Sequence, residues 1–123
     1  MTYPGDLFND PVTYDTLYDL ASVTKVVSTT SAVMKLYERG LMALDDKISK
    51  WIPEFDNHGK GDITVKNLLL HNSGLPADYP FAPDGETFWG VTKHDILDFV
   101  FNCELEYPTG TEFLYSDLSM VML

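Results

Sequence analysis

The feature of this sequence that most constrains its fold is a periodic segment that runs from residue 22 to residue 39. Gly40 follows it and supplies a typical helix C-terminal stop. β-Branched Val and Thr are frequent between residues 23 and 33, and an isolated helix of this composition is unstable because these side chains lose rotamer freedom. The segment therefore predicts a central, buried helix that packing must stabilise. Its apolar residues recur at steps of three and four, as on one face of a helix: Val23, Val26, Val27, Val33, Met34 and Tyr37.

Two shorter segments also predict helices. Thr64 can cap a helix over residues 65–72, and Thr92 with Asp95 resembles a capping box at the start of residues 93–103. Strand signals are scarce, so the chain is predicted to be mainly α. The residues that we expect in the core are Val26, Val27, Met34, Leu68, Leu69, Leu97 and Val100.

Length and charge exclude several classes of protein. The chain has 123 residues, enough for one modest core, and its 8 Lys+Arg against 19 Asp+Glu give a formal net charge of −11. Phosphate backbones and anionic lipid repel such a polyanion, so we expect no nucleic-acid or membrane-surface partner. No run approaches the roughly 20 apolar residues of a membrane span. Cys103 is the only cysteine, which excludes an internal disulfide.

The first group of residues that carries chemistry is Ser22-Val23-Thr24-Lys25. Residues three apart share a helix face, so the Lys25 amine can reach the Ser22 hydroxyl. A serine becomes a strong nucleophile when a base takes its proton, and a lysine can be that base only if its pKa falls from about 10.4. The Ser22 N–H, at the positive end of the helix dipole, could serve an oxyanion. The spacing alone is equally typical of a capping serine beside a surface lysine.

A second group of residues lies further along the chain, in Pro108-Thr109-Gly110 and Tyr115-Ser116-Asp117. Together with Ser22-Val23-Thr24-Lys25 and His71-Asn72-Ser73-Gly74-Leu75-Pro76, these motifs resemble the serine beta-lactamase-related superfamily in order and spacing. That superfamily contains class C beta-lactamases, D-alanyl-D-alanine carboxypeptidases and related esterases. The resemblance covers roughly residues 12–123, and three motifs in register are far more specific than any one of them.

The resemblance implies a role for each residue of the site. Ser22 is the acylated nucleophile, Lys25 helps to deprotonate it, and Tyr115 is the second acid–base group. A Lys25 ammonium beside Tyr115 would lower the pKa of the phenol, as that role requires. The implied activity is that of a serine hydrolase acting through an acyl-enzyme on D-amino-acid peptides, beta-lactams or small esters, without a cofactor. A metal site is not expected, because the three histidines are scattered.

The resemblance also implies a fold, namely the helical part of an α/β beta-lactamase/transpeptidase-like fold. We expect one partial domain over residues 1–123, in which residues 1–15 are a lead-in. The family's Lys/His-Ser/Thr-Gly motif, its main sheet and the second oxyanion donor would lie beyond residue 123. The chain is therefore expected to be a piece of a larger protein, to have the remainder of that protein as its partner, and to be a poor catalyst alone. A periplasmic, secreted or cell-envelope location is implied, although no signal peptide is visible.

Asp117 departs from the family pattern, which usually has Asn at this substrate-binding position. An amide both donates and accepts hydrogen bonds, whereas a carboxylate only accepts. The negative charge of Asp117 favours the ammonium form of Lys25 and tends to raise the pKa of Tyr115. This favours an esterase-like or peptidase-like member over a dedicated beta-lactamase. Two alternatives stay open: a non-catalytic peptidoglycan-binding or regulatory module of the same family, and Asp117 as an ordinary helix N-terminal residue.

Three further features have simple structural interpretations. His71 and Ser73 are predicted to be structural, because Ser73 lacks the glycine that a hydrolase nucleophile turn needs two positions earlier. The loop over residues 75–90 either lines a cleft with its aromatic side chains or uses them to fix itself to the core. These aromatic residues are Tyr79, Phe81, Phe88 and Trp89.

Overall fold

The computed structural model describes residues 11–80 and 90–123. The start of the lead-in and the aromatic residues Phe81, Phe88 and Trp89 lie outside these ranges. Within them the chain forms helices and turns but no β-strand, and its one β-bridge joins Lys47 to Thr64. The predicted mainly α character is thus confirmed for the described residues. None of the helices in these two ranges is long and apolar enough to cross a membrane.

The elements follow one another from the first helix to a short helix at residue 117. A π-helical stretch, Lys25–Thr30, continues directly into helix α1, Ser31–Glu38. Three 3₁₀ turns come next, and helices α2, α3 and α4 follow. The turns are Ile48–Lys50, Pro53–Phe55 and Lys60–Asp62; the helices are α2 Val65–Leu69, α3 Lys93–Asn102 and α4 Asp117–Val121.

The first helix forms where the periodicity predicts it, but the expected burial of its apolar face is wrong. Val26, Val27 and Met34 are 66%, 60% and 65% exposed, whereas Val33 is only 3% exposed. The helix therefore meets the core through Val33, and no segment of the described ranges covers the face that carries the other three. The period of a sequence identifies an apolar face, but it does not say what lies against that face.

Helices α2 and α3 begin at the predicted caps. Thr64 forms a reciprocal capping box with Asn67, and Thr92 forms one with Asp95. Helix α2 ends at Leu69, before the predicted residue 72, because the backbone turns left-handed at His71 with φ of 54°. Of the residues expected in the core, Leu68 and Val100 are fully buried and Leu69 and Leu97 are half-buried. In the described ranges the fully buried hydrophobic residues are Phe55, Ile63, Val65, Leu68, Leu75, Val100 and Leu118.

Two segments that are distant in sequence lie side by side and bring the end of the chain to the first helix. We call residues 71–77 the support segment and residues 106–116 the tyrosine loop. Three main-chain hydrogen bonds join the two segments, and a fourth ties the support segment to the start of α4. They run from the N–H of Glu106 to Gly74 (2.8 Å), Gly110 to Asn72 (2.8 Å), Leu114 to His71 (2.9 Å) and Asp117 to Ala77 (2.7 Å).

Side chains reinforce this arrangement. The Thr109 hydroxyl donates to the Ser73 carbonyl at 2.8 Å, and the Ser116 hydroxyl donates to the Pro76 carbonyl at 2.7 Å. The buried hydroxyls of Ser73 and Ser119 lie 3.0 Å apart. Because Ser73 is buried in this network, its geometry agrees with the predicted structural role. The support segment thus fixes the position of Tyr115.

Candidate active site

Ser22 follows a strained turn that leads into the first helix. Ala21 has φ of 43°, in the left-handed region, where a residue with a side chain costs about 1–2 kcal/mol. The turn is held by the N–H of Val23, which donates to Leu20 at 2.9 Å, and by that of Ala21, which donates to the Asp19 carboxylate at 2.8 Å. Ser22 itself is exposed, and no group of the described ranges accepts from its N–H. This N–H is therefore available to a ligand.

Lys25 lies at the centre of the four residues that the sequence singled out. Its Nζ donates to the Ser22 hydroxyl at 3.2 Å and lies 5.0 Å from the centre of the Tyr115 ring. It also forms an ion pair of 2.7 Å with Oδ1 of Asp117, an oxygen shielded from solvent. The side chain of Lys25 is only 16% exposed. The structure thus brings Ser22 and Lys25 of the first helix together with Tyr115 and Asp117.

The groups around Lys25 determine its charge state. The hydrogen bond to Asp117 is the largest cause that raises the pKa of Lys25, contact with Tyr115 adds to it, and burial opposes it. The shift is opposite to the one that a free-amine base needs. Lys25 is therefore an ammonium at neutral pH, the state that the sequence analysis attributed to the charge of Asp117. In this arrangement Lys25 donates hydrogen bonds and cannot take the proton of Ser22.

Tyr115 has the complementary shift. A hydrogen bond from Ser22 is the largest cause that lowers the pKa of the phenol, and a hydrogen bond from Lys25 is the second. The negative charge of Asp117 opposes this, as the sequence analysis expects, but it is the weaker influence. Of the groups around Ser22, Tyr115 is thus the one whose electrostatics suit a proton acceptor.

His71, for which the sequence predicts a structural role, also lies at this site. Its ring lies 4.7 Å from the Tyr115 ring, centre to centre, and its Nδ1 accepts a hydrogen bond from the Ser116 N–H at 3.0 Å. The signal that could have found it is its place in the motif His71-Asn72-Ser73-Gly74, which belongs to the same resemblance as Tyr115.

Asp117 has two functions in the fold. It is the first residue of α4, whose N-cap is Ser116, so the helix-terminal interpretation holds. Its carboxylate simultaneously pairs with Lys25, so the same residue is part of the site. The helix N-terminal role of Asp117 and its place in the site are therefore compatible.

Comparison with known proteins agrees with the geometry. Residues 5–123 match the family described as Beta-lactamase. The chain belongs to the beta-lactamase family. A protein of Escherichia coli (strain K12) named "Putative D-alanyl-D-alanine carboxypeptidase" is 36% identical over 98% of this chain and 30% of its own length. A protein of Salmonella agona with the same name is 34% identical over 90% of this chain and 28% of its own length.

A solved structure shows the same fold. The class C beta-lactamase of Rhodobacter sphaeroides superposes with a TM-score of 0.57 and 23% identity, over 80% of this chain and 25% of that one. The resemblance inferred from the motifs and the helical part of the beta-lactamase fold are therefore confirmed. The chain spans about 30% of the length of the curated relatives, in agreement with the expectation that it holds only part of the family's domain.

Proposed function

We propose that the protein containing this chain is a serine hydrolase that forms an acyl-enzyme on Ser22. One observation carries the proposal: the Nζ of Lys25 lies 3.2 Å from the Ser22 hydroxyl and 5.0 Å from the centre of the Tyr115 ring, and the N–H of Ser22 is available beside them. An activated serine needs a group that accepts its proton, and here a fixed cation stabilises that group in its basic form. Membership of the beta-lactamase family supports the same reaction class.

The proposed reaction begins with Tyr115 in its phenolate form. Tyr115 takes the proton of the Ser22 hydroxyl while the serine oxygen bonds to the substrate carbonyl carbon, and the carbonyl electrons move to its oxygen. The Ser22 N–H donates to this oxyanion. When the carbonyl re-forms, the bond to the leaving group breaks and Tyr115 returns its proton to the leaving oxygen or nitrogen. Water then releases the acyl group by the same steps, with Tyr115 as the base.

Lys25 and Asp117 act on this cycle through charge. The Lys25 ammonium stabilises the phenolate, which is why it serves best when it keeps its proton. Asp117 holds Lys25 in place and neutralises it, so the pair presents no net positive charge to a substrate carboxylate. We therefore propose neutral esters, rather than substrates with a carboxylate beside the scissile bond, as the preferred substrates. The E. coli and Salmonella relatives are named as carboxypeptidases, which cleave next to a free terminal carboxylate, so their names favour an anionic peptide substrate that the charge of Asp117 disfavours. A cell-envelope location accords with those names.

The alternative is a non-catalytic peptidoglycan-binding or regulatory module. One observation favours it: the ion pair of Lys25 with Asp117 restrains the cation that the reaction uses. In such a module the cleft binds its ligand without forming a covalent bond.

Covalent labelling distinguishes the two functions. A fluorophosphonate probe should label the protein, and Ser22→Ala should abolish the labelling. Ser28→Ala is a matched control because Ser28 is an exposed serine of the same helix. Labelling that survives Ser22→Ala would place the nucleophile elsewhere. Peptide binding without any labelling of the wild type would favour the binding module.

Turnover is measured on a protein that carries the complete family domain, with the 123-residue chain beside it. We expect Lys25→Ala to slow acylation by about 10²–10³-fold, as is typical when a preorganised group that stabilises the reacting charge is lost. The 123-residue chain should be slower than the longer protein, since one missing oxyanion donor costs about 10²–10³-fold. Serine-dependent turnover of the chain within about tenfold of the longer protein would show that its site is self-contained.

A further inference from the structure

We propose that His71 is a positioning residue for the reaction, and that its neutral imidazole, with the proton on Nε2, holds Tyr115 against Ser22 and Lys25. This inference rests on the proposed function of Tyr115. The experiment below therefore includes a measurement that does not depend on turnover.

The contacts of His71 organise four consecutive residues of the tyrosine loop. The rings of Phe113 and Tyr115 lie 6.0 Å and 4.7 Å from its ring, the first edge-on and the second tilted by 33°. The main-chain N–H groups of the residues before and after Tyr115 also bond to His71. That of Leu114 donates to the His71 carbonyl at 2.9 Å, and that of Ser116 donates to Nδ1 at 3.0 Å. Because side chains and N–H groups on both sides of Tyr115 are held, rotation and translation of that residue are both restricted.

The backbone of His71 adopts a rare conformation that directs both its carbonyl and its ring toward the tyrosine loop. Its φ of 54° lies in the left-handed region, which a histidine occupies at a cost of about 1–2 kcal/mol. This conformation coincides with the end of α2 and with a carbonyl and a ring that both contact the tyrosine loop. Such strain persists where surrounding contacts over-determine it, and it concentrates at functional sites.

The hydrogen bond to Nδ1 fixes the protonation state. Since Nδ1 accepts from the Ser116 N–H, the neutral ring carries its proton on Nε2. A proton added to Nδ1 would turn this acceptor into a donor that faces another donor. Burial is the largest cause that lowers the pKa of His71, and the Lys25 charge adds to it. Asp117 and the Ser116 hydrogen bond oppose it.

The groups around the ring come from three elements. Lys25 is contributed by the first helix, Asp117 by α4, and Tyr115 by the tyrosine loop, where the Tyr107 hydroxyl also contacts the His71 carbonyl at 3.4 Å. Protonation of His71 would place a second cation beside Lys25 and break the bond to Ser116. Acidification below the usual His pKa of 6.5 should therefore release Tyr115.

Two variants separate the contributions of His71. His71→Asn keeps an oxygen near the position of Nδ1, tolerates the left-handed backbone and does not titrate. His71→Phe keeps a ring against Tyr115 but has no acceptor for Ser116. His58→Asn is the control, because His58 is also left-handed, with φ of 48°, and is exposed.

The first readout is the titration of Tyr115, followed by NMR of ¹³C-labelled tyrosine without substrate. In the wild type the Tyr115 signal should show a second step when His71 takes up its proton, and His71→Asn should lack that step. In His71→Phe the pKa of Tyr115 should rise, because the loop no longer holds the phenol against Ser22 and Lys25. Titration curves that match the wild type in both variants would overturn the proposal, whether or not the protein turns over substrate.

The second readout is kcat/KM for a neutral chromogenic ester. His71→Phe should lower it by about 10²-fold, the typical cost of a misplacement near 1 Å. His71→Asn should retain most of the activity at neutral pH and lose the extra proton dependence that the wild type shows at acidic pH. His58→Asn should match the wild type in both. An acid dependence that persists in His71→Asn would contradict the assignment.

Discussion

Gly74 provides a quantitative test of how the support segment holds the tyrosine loop. Its φ is +90°, and a Cβ at this position would stand closer than 3.0 Å to the Tyr107 carbonyl oxygen, a separation that real Cβ atoms essentially never show. That carbonyl cannot withdraw freely, because the neighbouring Glu106 N–H donates to the Gly74 carbonyl at 2.8 Å. Gly74→Ala therefore has to displace the tyrosine loop.

The magnitude follows from two contributions. A side chain in the left-handed region costs about 1–2 kcal/mol, and overpacking against fixed backbone costs about 1–3 kcal/mol more. Gly74→Ala should thus lower the free energy of unfolding by about 2–5 kcal/mol. Gly110→Ala is the matched control, since Gly110 has φ of +84° with nothing within 4 Å of the added Cβ. It should cost only the conformational part, about 1–2 kcal/mol.

Urea unfolding of the two variants measures the difference. The effect of the added methyl group on the unfolded chain is the same in both, so it cancels in the comparison. Tyr115 should also lose its lowered pKa in Gly74→Ala and keep it in Gly110→Ala. If the two unfolding free energies agreed within about 0.5 kcal/mol, a close approach of the segments at Gly74 would be ruled out.

Three further predictions concern charge and capping. Asp117→Asn should lower the pKa of Lys25, seen by ¹⁵N NMR, and increase labelling by an anionic penicillin-type probe relative to a neutral fluorophosphonate; an unchanged ratio argues against charge selection. Burial lowers the pKa of Lys60 below 10.5, so the unfolded state holds that proton more tightly. Between pH 7 and about 10, the unfolding free energy of the wild type should therefore rise relative to Lys60→Met; parallel pH profiles would refute this. Thr92→Ala should lower the free energy of unfolding by about 1 kcal/mol, checked by urea titration, because it removes the cap of α3.

Local features of the fold could be predicted from the sequence because their causes are local. The capping boxes at Thr64 and Thr92 and the three-residue spacing of Ser22 and Lys25 are properties of a few adjacent residues. The site as a group of residues followed from the order of its motifs. The motifs imply that Lys25 lies beside Tyr115, but they do not give the geometry of the contact, in which Nζ lies 5.0 Å from the centre of the ring.

The features that sequence reasoning missed depend on distant contacts or on rare backbone conformations. The exposure of Val26 and Met34 could not be predicted from periodicity, because it depends on which faces the other segments cover. Ala21 and His71 adopt left-handed conformations that non-glycine residues rarely occupy, so the residue types alone do not predict them. The role of His71 further depends on main-chain bonds across more than forty residues of sequence, for example to Leu114.

The attachment of the tyrosine loop through its main chain has a consequence for protein engineering. Because the loop is anchored largely by N–H groups, the side chain of Glu112 is exposed and makes no hydrogen bond or ion pair with the other residues that the structure describes. A library of all amino acids at Glu112 should therefore retain a high fraction of folded members with Tyr115 in register. New substrate preferences could be selected from such a library without first restoring the scaffold.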